Sequence, residues 1–174
     1  MTDLIETFYV VKGNNKIKQG KYILTLKKEI IQDGNYNMGI KTGVWRYYNY
    51  RNLEFIYDYD KNCILTDSIG EARNALFSES YIYFGYLVGK NLNYPNEARD
   101  SGKSGQVSIS IVIDSNGKPK SFEVAVGCGN QSLNNEALRV VTKVSNEYPW
   151  YPGIYEKGEK IDSRYEFRIN FEVF

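Results

Sequence analysis

The sequence predicts an α+β protein in two parts: an N-terminal β-hairpin or meander repeat, then a three-stranded antiparallel sheet packed with helices. Three observations predict it. Residues 17–59 echo themselves at a fixed offset of 23, residues 106–114 alternate apolar and polar up to an Asn-Gly turn, and Leu133 to Tyr148 carry an apolar stripe at helical spacing. The first is a repeat signature, the second a half-buried strand, the third an amphipathic helix.

In the echo, Ile17-Lys18-Gln19-Gly20 recurs as Ile40-Lys41-Thr42-Gly43. Under the same shift Tyr22 falls on Trp45, Leu24 on Tyr47, Ile30 on Leu53 and Tyr36 on Tyr59. The residues between the glycines favour strands, as in Tyr22–Leu26, Trp45–Tyr48 and Phe55–Tyr57, with Lys27-Lys28 and Arg51-Asn52 as hairpin turns. Gly20, Gly34 and Gly43 are expected to open strands where the backbone bends or approaches closely. The motif Gly34-Asn-Tyr36, followed by Lys41-Thr-Gly43-Val-Trp45-Arg-Tyr47-Tyr48, resembles the bacterial variant of the MORN-type repeat over two units. Trp45, Tyr47 and Tyr48 read as cross-strand pairs holding a meander together, with a ligand-stacking surface as the alternative. The pattern ends at Asp60-Lys61-Asn62, so residues 1–62 form the first domain and residues 63–77 a connector, with room for one helical turn between Asp67 and Leu76.

The second domain, residues 78–174, opens with a helix capped by Ser78 or Ser80 and striped by Tyr81, Phe84, Leu87 and Val88. Pro95 starts a short second helix, which Gly102 and Gly105 end. Val107, Ile109, Ile111 and Ile113 share one strand face, Asn116-Gly117 turns the chain, and Phe122, Val124 and Val126 alternate on the way back. Leu133, Ala137, Val140, Val141, Val144 and Tyr148 line a helix that Pro149 stops. In the closing strand Tyr165, Phe167, Ile169, Phe171 and Val173 face one way, and Arg164, Glu166, Arg168, Asn170 and Glu172 the other.

Composition excludes much chemistry. The 174 residues include no histidine, which removes the commonest general base and metal ligand together with every Ser/His or Cys/His pair. Cys63 and Cys128 are too few for a zinc site and read equally as one disulfide or as two free thiols. Without a histidine, a thiolate nucleophile at Gly127-Cys128-Gly129 would need a neighbouring Lys or Arg that the sequence does not show. With 22 basic against 21 acidic residues spread evenly, no footprint for nucleic acid exists. No cofactor, no metal and no enzyme activity are expected. No apolar run approaches a transmembrane span, and the first residues lack the pattern of a signal peptide.

The order helix, hairpin, helix, strand, with particular residues in it, resembles the C-terminal domain of TonB, the energy transducer of Gram-negative bacteria. The residues are Tyr94-Pro95 with Ala98, then Gly105-x-Val107, Ile113-Asp114 with Gly117, Leu133 with Glu136-Ala137-Leu138, Trp150 with Pro152-Gly153, and the final strand with Phe171. The resemblance implies a periplasmic or envelope-associated location, behind a signal segment that this chain does not carry. It implies a protein partner, an outer-membrane receptor peptide or another envelope protein, added as a strand to the sheet. The candidate edge is Ser163 to Phe174, with Arg164, Glu166, Arg168 and Asn170 on its polar face; Asn91 and Asn93 complete the candidate partner-binding set. The family's glutamine-proline pair is replaced by Asn91-Leu92, and neither a membrane helix nor a proline-rich spacer is present. Charges facing outward on such a strand also fit a sheet that simply meets water.

Two other readings stand beside strand addition. One is a scaffold or homodimer of the cell envelope, built through the same edge; the other is a cytoplasmic antitoxin-like or adaptor protein, suggested by the N-terminal repeat. Trp150, between the long helix and a Pro-Gly turn, should anchor the second core. Trp150→Ala should therefore lower unfolding stability by roughly 3–5 kcal/mol, and an unchanged melting temperature would place the indole in solvent.

Overall fold

A computed structural model describes residues 3–65 and 72–173. The chain is α+β, and its contacts divide it into two units: Met1–Ser68 with Glu79–Tyr83, and Ile69–Ser78 with Phe84–Phe174.

The first unit is a six-stranded antiparallel meander of β1 (Leu4–Val11), β2 (Asn14–Leu26), β3 (Glu29–Asn37), β4 (Ile40–Asn49), β5 (Asn52–Asp58) and β6 (Cys63–Leu65), each strand beside the next in sequence. Lys27-Lys28 and Met38-Gly39 make the first two tight turns after β2 and β3 with positive φ at both residues, the geometry that matches strand twist. The next turn sits at Tyr50-Arg51, one residue before the expected position. The three glycines do not open strands. Gly20 and Gly43 lie inside β2 and β4 at φ of +74° and +61°, where both strands carry more residues than their partners. A left-handed residue absorbs such a bulge, so glycine is required within the strand and not at its start.

Lys18 and Lys41, 23 residues apart, each lie over three aromatic rings. Lys18 Nζ lies 4.9, 4.7 and 5.3 Å from the ring centres of Phe8, Tyr22 and Tyr36. Its counterpart Lys41 lies 4.5, 5.5 and 5.5 Å from those of Trp45, Tyr47 and Tyr59. Each ammonium also meets a carboxylate, Glu6 at 3.1 Å and Glu79 at 2.9 Å. An ammonium over an aromatic face is held by the ring quadrupole, the more strongly as water is excluded. Burial, with the Glu79 and Glu6 charges, pushes the Tyr36 phenol up to about 12. Burial first, then its hydrogen bond to Glu6, raises Tyr22 as well, so both phenols stay neutral.

Trp45 and Tyr47 are fully buried, which removes them as a ligand-stacking surface. The indole donates from Nε1 to the Asn35 carbonyl at 3.1 Å and lies flat on Gly34, where an added Cβ would sit 2.2 Å from a ring carbon. Glu54, largely buried in the same unit, accepts from the Tyr81 amide at 2.8 Å; burial raises its carboxyl above the ordinary range.

The second unit contains β7 (Leu76–Phe77), α1 (Tyr81–Asn91, its first three residues counted with the first unit), α2 (Asn96–Asp100), β8 (Gly105–Ile113), β9 (Pro119–Val126), α3 (Gln131–Glu147), β10 (Trp150–Tyr151), β11 (Gly153–Ile154), β12 (Lys160–Ile161) and β13 (Ser163–Phe171). Of the two candidate caps for α1, Ser80 is the one used: its Oγ accepts from the Tyr83 amide at 3.2 Å. Asn130 caps α3 by accepting from the Leu133 amide at 3.0 Å. Tyr148 stands just past the end of α3 in extended backbone, the conformation that the following Pro149 imposes.

The expected connector contributes to structure on both sides. Residues 63–65 are β6, and Leu76-Phe77 pairs with Trp150-Tyr151. Residues 72–76 are extended, not a helical turn: Arg73 bridges Ile154, and the Ala75 amide donates to Ser163 Oγ at 2.8 Å. Residues 66–71 of that expectation lie outside the described residues. Cys63 and Cys128 are both free thiols.

The three-stranded sheet has the order β13-β8-β9. Val107, Ile109, Ile111 and Ile113 of β8 are fully buried, with Leu133, Ala137, Val140, Val141 and Val144 of α3. Trp150 is 4 % exposed, packs against Phe77, Phe84 and Tyr165, and donates to the Ser145 carbonyl at 3.1 Å. On β9 the alternation breaks. Val124 pairs with Ile109 but Val126 pairs with Ser108, so one extra residue turns Val126 to the polar face, where it is 62 % exposed.

The Gly34–Trp45 contact sets a test of the first unit. Gly34→Ala forces a methyl into the indole and should cost about 2–3 kcal/mol by denaturant unfolding. An unchanged midpoint would mean that the indole moves aside freely.

Candidate functional site

The candidate strand β13 is one edge of its sheet. All nine of its residues pair with β8, from Ser163 opposite Ile113 to Phe171 opposite Gly105, without a register shift. Among the described strands it pairs with nothing on its other side. An edge of this kind presents a row of backbone N–H and C=O groups with no ladder partner. The opposite edge, β9, differs in kind: it begins with Pro119 and carries two register shifts against β8. Proline removes a donor and bulges twist a strand away from regular pairing.

Alternation gives β13 two faces. Phe167, Ile169 and Phe171 are buried, while Arg164, Glu166, Arg168 and Asn170 are exposed. Phe84 meets the Phe167 ring edge-on at 4.9 Å, and Tyr94 meets Phe171 edge-on at 5.7 Å. On the polar face Arg164 pairs with Glu123 of β9 at 2.8 Å, and Gln106 of β8 donates to Asn170 at 2.8 Å. Glu166 and Arg168 form no ion pair among the described residues. Between these long side chains β8 presents Ser108 and Ser110, both buried beneath their neighbours.

Where β13 begins, Asp162 accepts from the Ser115 amide at 2.9 Å and pairs with Lys120 at 3.0 Å. That lysine holds the Asp162 carboxyl below the ordinary carboxylate range. The strand is therefore anchored at its start to the hairpin turn between β8 and β9. Gly117 in that turn lies against the Trp150 carbonyl, where an added Cβ would stand 2.3 Å away.

Asn91 and Asn93 lie apart from β13, at the end of α1 and in the segment before α2. Asn91 ends α1, donating from its amide to the Leu87 carbonyl at 2.9 Å and accepting from Lys143 Nζ at 2.8 Å. Its backbone carbonyl accepts from Arg139 at 2.9 Å, and the Asn93 amide donates to Glu136 at 2.6 Å. Arg139 closes a bidentate pair on Glu136, with both contacts at 2.7 Å. These two asparagines are tied to α3, while the other four candidates stand together on β13. The sequence singled out Glu136 only as part of the family motif and did not single out Arg139 or Lys143, although the i,i+3 spacing of Glu136 and Arg139 on a helix was available as a signal. No group of three metal-ligating side chains occurs among the described residues. Among them, no helix is long and apolar enough to cross a membrane.

Residues 90–173, just under half of the chain, match the family model described as Gram-negative bacterial TonB protein C-terminal. Two solution structures of the Helicobacter pylori TonB C-terminal domain are similar to this chain. The longer form is 17 % identical over 53 % of this chain and 79 % of its own, with a TM-score of 0.44. The shorter is 20 % identical over 52 % of this chain and 90 % of its own, with a TM-score of 0.41. No curated protein matches the sequence.

Glu136 gives this region its test. It is 8 % exposed and satisfies both the Asn93 amide and Arg139. Glu136→Ala removes the acceptor of the part-buried bond from the Asn93 amide and the anion that Arg139 pairs with, which costs roughly 1–2 kcal/mol. The Asn93 amide should then exchange its proton faster than the amides of β8, and unchanged exchange there would show that Glu136 does not hold the segment.

Proposed function

We propose that this chain is a non-enzymatic TonB-like binding protein of the cell envelope that engages a partner polypeptide by strand addition along β13. The family match over residues 90–173 supports a role tied to outer-membrane transport. The observation that carries strand addition is the contrast between the two edges. β13 offers nine residues in unbroken register, without proline or glycine, whereas β9 begins at Pro119 and carries two bulges. An incoming strand gains affinity from main-chain pairing and orientation from the alternating side chains.

On this reading Arg164, Glu166, Arg168 and Asn170 contribute contacts from the polar face, and Glu166 and Arg168 are the ones still able to choose a partner charge. Asn91 and Asn93 hold the segment before α2 in place beside α3 and act indirectly. The partner is an outer-membrane receptor peptide or another envelope protein, and the location is periplasmic or envelope-associated. The first unit is a two-unit MORN-type repeat on the matched lysine and glycine positions, with residues 1–62 as its span and 78–174 as the binding domain.

Backbone pairing dominates such a contact, so single polar changes on β13 should alter affinity little. Arg168→Pro should do more harm, because it removes a ladder donor and bends the strand; circular dichroism must show that the variant folds. An NMR titration with a peptide from the N-terminus of an outer-membrane receptor should shift resonances clustered on residues 163–173. Shifts confined to the meander, or none with any receptor peptide, would leave the scaffold reading in its place.

A further inference from the structure

The meander also has two edges, and they are unlike. β6 is three residues long, which blunts it by shortness. β1 is eight residues, Leu-Ile-Glu-Thr-Phe-Tyr-Val-Val, and six of them are exposed. It carries Ile5 at 52 %, Phe8 at 38 %, Tyr9 at 70 % and Val10 at 39 % exposure. The register irregularities between β1 and β2 arise from extra residues on β2, between Tyr22 and Gln19 and between Lys18 and Asn14. β1 itself therefore runs as a regular strand. It has none of the devices that keep sheet edges apart: no proline, no lysine, no bulge of its own and no covering strand among the described residues.

We propose that β1 pairs antiparallel with β1 of a second copy of this chain, joining two meanders edge to edge about a two-fold axis. Charge and register both favour a second copy of this chain as the occupant. The single charged residue of β1 is Glu6, and it is already neutralised by Lys18 at 3.1 Å and by the Tyr22 hydroxyl at 2.8 Å. Two such edges meet without like-charge repulsion. A two-fold axis normal to the sheet keeps each face on its own side, so residues of the same parity come opposite one another. Centred on Thr7, this register sets Ile5 against Tyr9 and Leu4 against Val10, each pair occurring twice, and keeps Glu6 away from its own copy. Ile5 and Tyr9 are the two most exposed apolar residues of the strand and lie on one face of it. Aromatic with β-branched is a favourable cross-strand combination, so the strand is its own complement.

A single strand edge is a small contact, and the association expected is weak. Sedimentation of the full chain from low-micromolar to near-millimolar concentration should show a reversible shift from one to two chains. Ile5→Lys combined with Tyr9→Lys places like charges across the axis at solvent-facing positions. It should raise the dimer dissociation constant by roughly tenfold or more, with an unchanged circular dichroism spectrum. Should that pair of changes disturb folding, Thr7→Lys alone carries the same test. A wild-type chain that stays single at every concentration overturns the proposal. So does a dimer that survives folded β1 variants, which would move the contact elsewhere. Receptor-peptide binding at β13 should be unaffected by these variants, so the two readings fail separately.

Discussion

The register between β8 and β13 is the constraint on which the second unit rests. Side chains alternate along a strand, so a slip of one residue would exchange the two faces. Phe167, Ile169 and Phe171 would turn to water while Arg164, Glu166 and Arg168 turned into the core beside Phe84 of α1, leaving buried charges without partners. Nine consecutive pairs hold the register, and the fully buried Val107, Ile109, Ile111 and Ile113 make any alternative costly. The polar face of β13 and its outward row of backbone groups both follow from that one alignment.

The meander is organised by a different device, used twice. A lysine two residues before the left-handed bulge glycine is placed over three rings and finished by a carboxylate, at Lys18 and again at Lys41. An ammonium removed from water is costly unless rings and an anion replace the solvent, and each site supplies both. The copies differ in their partners. Glu6 lies on the neighbouring strand, whereas Glu79 comes from far along the chain, so one lysine is satisfied locally and the other by tertiary structure. Gly34 has no counterpart at the offset, because only Trp45 is large enough to need the space above a bare backbone.

Within the second unit the polar residues sort into two roles by what they touch. Asn91 and Asn93 are occupied by Arg139, Lys143 and Glu136, and their hydrogen-bonding groups are largely spent on holding the chain between α1 and α2 against α3. Arg164 and Asn170 are braced across the sheet by Glu123 and Gln106, whereas Glu166 and Arg168 reach into solvent without such braces. On the strand addition proposed above, β13, which has no partner on its outer side among the described strands, would be recognised through the main chain, with charge as a secondary selector.

The sequence by itself determined the elements with a clean period. The buried face of β8, the stripe of α3, the Asn-Gly turn and the alternation of β13 were all legible, because burial on one face writes its own spacing into the chain. The resemblance to the TonB C-terminal domain rested instead on particular residues in order, from Tyr94-Pro95 through Trp150 and Pro152-Gly153 to Phe171. Tertiary structure alone decided the rest. An extra residue on β9 sent Val126 to the polar face, and bulges put Gly20 and Gly43 inside strands, because a bulge changes parity without leaving a period to read. Residues 72–77 became extended through pairing with Ile154 and Trp150, contacts far off in sequence that outweigh local propensity. The ties of Asn91 and Asn93 to α3 and the openness of one edge depend on which strands end up adjacent, and no local pattern carries that information.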